Sequence, residues 1–97
     1  MDFEWDEAKR QQVLQKHGVD LAKVGLIFDG PTVTFRDERS DYREQRFISI
    51  GVIAGVPYVV VHTTRHDAVR LISAWRAGRR RYEQYKASLA RRSPPDA

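Results

Sequence analysis

Arginine, histidine and aromatic side chains, with no cysteine, are what this chain of 97 residues brings to chemistry. The stretch RLISAWRAGRRRY, residues 70–82, sets Trp75 among Arg70, Arg76, Arg79, Arg80 and Arg81. VVVHTTR closes a β-branched run with His62 and Arg65, and RFISIG opens another with Arg46. Such residues suffice for metal-independent scission of RNA. The 2′-hydroxyl attacks the adjacent phosphate, a base takes its proton, cations stabilise the extra negative charge on phosphorus, and an acid protonates the leaving oxygen. The substrate supplies its own nucleophile, so the protein needs only to bend the backbone into line and neutralise charge. DNA, without that hydroxyl, is inert by this route. An aromatic ring beside the cations suits a nucleobase, which stacks on it while arginines hold the phosphates.

Other chemistries lack their residues. There is no Gly-rich phosphate loop, HExxH helix or GxSxG elbow. HTTRH falls at a strand end and turn, where a four-residue spacing does not align two imidazoles on one metal, so neither metal nor cofactor is expected. The lack of cysteine excludes disulfides, thiolate zinc sites and thiol nucleophiles. No apolar run approaches the roughly 18 residues of a membrane span. MDFEWDEAK has neither the basic start nor the apolar segment of a secretory signal, so the expected location is the cytoplasm.

The net charge of +4 is unevenly spread. Residues 1–64 carry 8 Lys and Arg against 10 Asp and Glu, whereas residues 65–97 carry 9 against 3. A one-sided basic surface concentrates polyanions near it, which points to nucleic acid or an acidic protein; the same charge also suits a solvated helix kept for solubility.

These residues must be positioned by one small α+β domain, expected over residues 1–92 with a frayed tail at 93–97. Phe3 and Trp5 alternate with acids, as in a short strand or anchoring arm. Asp6 caps a helix running to His17, where Gly18 ends it, and Asp20 caps a second, short helix that stops at Asp29-Gly30-Pro31. Thr32 to Arg36 is a short strand, and RDERSDYREQ reads as an exposed loop. RFISIGV, PYVVVHTT and AVRLISAW form an antiparallel meander with turns at Ala54-Gly55 and His66-Asp67. Tyr82, Tyr85 and Leu89 mark the apolar stripe of a C-terminal helix.

Two-residue turns fix cross-strand partners by counting. One face then collects Ile48, Val61, Ile72, Ile50, Val59 and Ala74, a core face, with Arg46, Thr63 and Arg70 as its last row. Two like charges flanking a threonine are unfavourable unless a carboxylate or a phosphate lies between them. The other face holds Phe47, His62, Leu71, Ser49, Val60, Ser73, Gly51, Tyr58 and Trp75. It reads either as a base-binding cleft edged by His62, Tyr58 and Trp75, or as a face covered by the terminal helix with His62 a satisfied buried imidazole. An odd-length turn at His66-Asp67 would shift strand parity and break both assignments.

FEWDEAK, KHGV, FDGP, RFISIG, VVVHTTR and RLISAWRAG, followed by Tyr85, together resemble the BrnT family of ribonuclease toxins from type II toxin-antitoxin pairs, over about Phe3 to Tyr85. The resemblance implies a RelE-like toxin fold with two N-terminal helices, a meander of three to four strands and a C-terminal helix. It also implies RNA cleavage that stops translation, and a BrnA-type ribbon-helix-helix antitoxin whose complex with the toxin represses its own operon. Matching positions are Lys16, His17, Arg46, Arg65, Arg70, Ser73 and Tyr85. The chain departs from the family pattern at Val13, where Asn is common, at Trp75, where Arg is, and at Arg81, where Glu is.

The resulting expectation gives Arg46, Arg70 and Arg76 as phosphate and transition-state cations and His62 as proton shuttle. Trp75 or Tyr85 stacks a base. Lys16, His17, Arg65, Ser73, Arg79 and Arg80 extend the RNA-binding surface. The rival is a non-catalytic basic module that holds an acidic protein or a nucleic acid.

Overall fold

The computed structural model describes residues 1–92, so the expected frayed tail, 93–97, lies outside the described residues. Nine segments follow in chain order: β1 (Phe3–Trp5), α1 (Glu7–His17), α2 (Leu21–Val24), a 3-10 turn (Gly25–Asp29), β2 (Val33–Arg36), β3 (Phe47–Ile53), β4 (Val56–Arg65), β5 (Ala68–Arg76) and α3 (Arg79–Arg92). No described helix is long and apolar enough to cross a membrane.

The helix ends are where the side chains demand. Asp6 Oδ1 accepts from the Lys9 amide at 3.0 Å, and Gly18 closes α1 in the left-handed conformation at φ 69°. Asp20 caps α2 through the Ala22 amide and also receives a two-pronged bond from Arg10, at 2.7 and 3.1 Å, that ties α1 to α2. Caps of this kind contribute about 1 kcal/mol each. Both hairpins turn on two residues with positive φ, Ala54-Gly55 at 49° and 80° and His66-Asp67 at 52° and 67°. That geometry matches the twist of the flanking strands.

The sheet is five-stranded and mixed, in the order β1-β5-β4-β3-β2. An antiparallel meander was expected, with Phe3 and Trp5 in a short strand or an anchoring arm. That strand forms, and it adds to β5 in parallel, pairing Phe3 to Trp5 with Val69 to Leu71. Helices cover both faces. Val60, Leu71 and Ala74 pack against α1, α2 and the 3-10 turn through Val13, Leu21, Val24 and Ile27. Ile48, Ile50, Val59 and Val61 pack against α3 through Tyr85, Tyr82 and Leu89. Consecutive valines of β4 therefore serve opposite cores, and each buried valine contributes roughly 1.5–3 kcal/mol. The 3-10 turn lies close on β3: a Cβ on Gly51 would sit 2.7 Å from that of Ile27.

The counted register holds from Ile53↔Val56 to Phe47↔His62 and from Arg65↔Ala68 to His62↔Leu71. There it breaks. Val61 pairs with Ser73, which leaves Ile72 as an extra residue in β5. A bulge of this kind reverses which face later residues occupy. Ser73 and Trp75 thus move to the α3 side, and Ala74 moves to the α1 side, opposite to their expected faces. Residues 37–46 are more than an exposed loop. Asp37 is buried, its amide donates to the Arg46 carbonyl at 2.9 Å, and Thr63 Oγ1 donates to the Gln45 carbonyl at 2.7 Å.

Candidate nucleic-acid interface

Three of the expected cations meet where β3 and β5 begin and β4 ends. Thr63 pairs with Arg70, and Arg46 immediately precedes Phe47, whose partner is His62. Arg65 lies two residues farther along β4. All three arginines line one groove of about 570 Å³ with Lys9 of α1 and with Tyr42, Arg43 and Glu44 of the 37–46 loop. Five cations there face two carboxylates, Asp6 and Glu44, and Asp6 is occupied in capping α1.

Arg46 is held in an unusual way. Its guanidinium lies 4.1 Å from the centre of the Tyr42 ring, a cation–π contact that fixes the group while leaving its plane free to donate. Its Nε is buried without a hydrogen-bond partner, and the nearest carboxylate, Glu44, stands 3.7 Å away. Glu44 also faces Arg65 at 3.4 Å, and Arg70 faces Glu4 at 3.4 Å. These separations are at or beyond the edge of hydrogen bonding, and exposed pairs of this sort contribute ~0–1 kcal/mol. The carboxylates thin the positive charge without cancelling it.

Lys16, His17, Trp75 and Arg76 line a second concavity of about 570 Å³, at the far end of α1. The His17 and Trp75 rings are 6.0 Å apart and tilted by 45°, and the Arg39 guanidinium lies 5.6 Å from the Trp75 ring. Arg39 is itself clamped by Asp37 through two bonds of 2.8 Å. That clamp holds the Asp37 carboxyl down at about 2. Trp75 is thus half-buried and braced by two basic residues rather than lying open as a flat platform. The bulge at Ile72 put it there.

The remaining expected residues lie apart. His62 is only 8% exposed. Its Nε2 is 2.7 Å from Ser49 Oγ, which in turn bonds Thr34 Oγ1 at 2.6 Å. Phe28 meets the imidazole edge-on at 5.3 Å and Phe47 stacks at 6.0 Å. Burial pushes the His62 pKa down to about 4, so the ring is neutral at physiological pH, and it does not line the arginine groove. Tyr85 is 5% exposed and donates its hydroxyl to the Pro31 carbonyl at 2.9 Å, an anchor for α3. Ser73 is half-buried on the α3 side. Arg79 and Arg80 are exposed on the first turn of α3, where Arg80 shares a separate concavity with Arg81 and Gln84.

Sequence reasoning missed Lys9, Tyr42, Arg43 and Glu44. Its one available signal was Tyr42, a lone aromatic in an otherwise polar loop; such a ring needs something to pack on, and here that is Arg46.

The geometry is therefore a cation-rich groove with a fixed guanidinium and a carboxylate, suited to a phosphodiester. No curated protein sequence matches the chain. A family model described as the ribonuclease toxin BrnT of type II toxin-antitoxin systems matches residues 5–81, and the chain belongs to that family.

Proposed function

We propose that the groove around Arg46 grips the backbone of RNA and cleaves it without a metal ion, as the site of a RelE-like toxin that stops translation. The observation that carries this reading is the groove itself, where cations outnumber carboxylates five to two and the Tyr42 ring holds the Arg46 guanidinium by its face. Arg46, Arg65 and Arg70 then stabilise charge on the phosphorane. Glu44 accepts the 2′-hydroxyl proton as the new O–P bond forms, and the Lys9 ammonium protonates the departing 5′-oxygen. Arg43 holds a neighbouring phosphate. Lys16, His17, Trp75 and Arg76 receive flanking nucleotides, with Arg79 and Arg80 as outlying cations.

The proton carrier differs from the sequence expectation. His62 lies beneath the helical layer with its nitrogen committed to Ser49, and Tyr85 is committed to Pro31. Neither belongs in the proposed mechanism. We read the partner as a BrnA-type ribbon-helix-helix antitoxin, which carries the complex to operator DNA.

One observation favours the non-catalytic reading, a basic module that only binds: no imidazole lines the groove. Purified protein with RNA in excess chelator separates the two. Scission leaving a 2′,3′-cyclic phosphate and a 5′-hydroxyl supports the nuclease; salt-sensitive binding to RNA that stays intact supports the module.

A further inference from the structure

Leu14 and Leu26 are, apart from Met1, the exposed large hydrophobic residues of the described chain, at 40% and 54% exposure. One exposed leucine is ordinary. These two come from separate elements, α1 and the 3-10 turn, and open onto the same groove of about 530 Å³, floored by Val19, Val24, Ile53 and Tyr58. Asp20 is the one carboxylate lining it and is committed to Arg10. Lys23 lines it too, with no ion pair among the described residues. The concavity of Lys16, His17, Trp75 and Arg76 is its neighbour across the sheet, since Tyr58 on the floor is the strand partner of Arg76 and Leu14 and Lys16 both belong to α1.

We propose that this groove is the antitoxin-docking surface, and that its occupant is an antitoxin segment presenting apolar side chains flanked by carboxylates. The apolar floor would take the first and the rim of Lys16, Lys23 and Arg76 the second. Charge selects this occupant over two others. A second copy of the chain would bring its own cations against these, and an RNA backbone would leave Leu14 and Leu26 uncovered. Docking there covers Lys16 and Arg76, so it removes the flanking-nucleotide surface while leaving the Arg46 groove untouched. The inference rests on family membership for the existence of an antitoxin, not on where cleavage occurs.

The test uses Leu14→Glu, Leu26→Glu and the double variant, both positions being exposed, with circular dichroism confirming the fold. The probe is the purified antitoxin of the chain's own toxin-antitoxin pair. The double variant is expected to bind it at least about tenfold more weakly, a loss of about 1.4 kcal/mol, and to cleave RNA at the wild-type rate. Lys23→Glu is expected to weaken binding by a smaller factor that fades at high salt. Antitoxin affinity within about twofold of wild type for the double variant would overturn the proposal. So would a wild-type dimer that the double variant dissolves, or lost RNA cleavage with antitoxin affinity intact. Affinity is read directly, so the docking surface is tested even in a chain that fails to cut RNA.

Discussion

The Arg46 guanidinium rests 4.1 Å from the Tyr42 ring while its buried Nε meets no acceptor. The ring fixes the cation by its face and leaves the donors in the guanidinium plane for a ligand. Tyr42→Phe preserves that face and is expected to keep RNA cleavage within about threefold of wild type. Tyr42→Ala removes the support; a cation–π contact of ~1–2 kcal/mol corresponds to a loss of about five- to thirtyfold in kcat/KM. Equal losses in both variants would mean that the phenol, not the ring, matters.

Glu44 tests the proton transfer. As general base it contributes roughly 10²–10⁴-fold, so Glu44→Gln should lower kcat by that order while RNA affinity is unchanged or stronger, one negative charge having left the groove. Single-turnover cleavage beside filter binding reads both. Cleavage at the wild-type rate would remove Glu44 from the mechanism.

His62 makes a prediction about stability rather than catalysis. Its pKa is about 4 in the fold against an ordinary value near 6.5, so below 6.5 the unfolded chain takes a proton that the folded chain refuses. The stabilisation is complete above that pH and is lost as pH falls from about 6.5 to about 4, up to roughly 3 kcal/mol. Urea unfolding between pH 7.5 and pH 4 should show this slope, and His62→Gln should flatten it without slowing cleavage at pH 7.5. Asp20 and Asp37, held near 2 by Arg10 and Arg39, act in a lower window, where stability is lost as pH falls below about 4.

Tyr85 gives a parallel case. Tyr85→Phe deletes the bond to the Pro31 carbonyl and should cost about 1 kcal/mol in denaturant unfolding with cleavage unaffected. A large fall in cleavage at full stability would return Tyr85 to the RNA site.

Local signals in the sequence were strong where one residue decides a local geometry. Asp6, Gly18 and Asp20 mark the helix ends, Ala54-Gly55 and His66-Asp67 the hairpins, and the Tyr82, Tyr85, Leu89 stripe the packing of α3. The Ile72 bulge was not legible, because RLISAW alternates equally well with or without an extra residue and only the pairing with β4 shows which applies. That single residue moved Trp75 from the expected cleft to the edge beside Arg39. The cation row of Arg46, Thr63 and Arg70 survived because it lies before the bulge. The approach of the 37–46 loop to that row depends on tertiary contacts of Asp37 and Gln45 that no local pattern encodes.

The most direct measurement is single-turnover cleavage of one RNA oligonucleotide, and of its 2′-O-methyl counterpart, by the wild-type chain and by Arg46→Ala in excess chelator. Losing a transition-state donor of this kind costs about 10²–10³-fold. Wild type is expected to cut only the unmodified RNA, and Arg46→Ala to cut it slower by that factor with its fold intact. Cleavage of the 2′-O-methyl strand, or an Arg46→Ala variant as fast as wild type, would contradict the proposed mechanism.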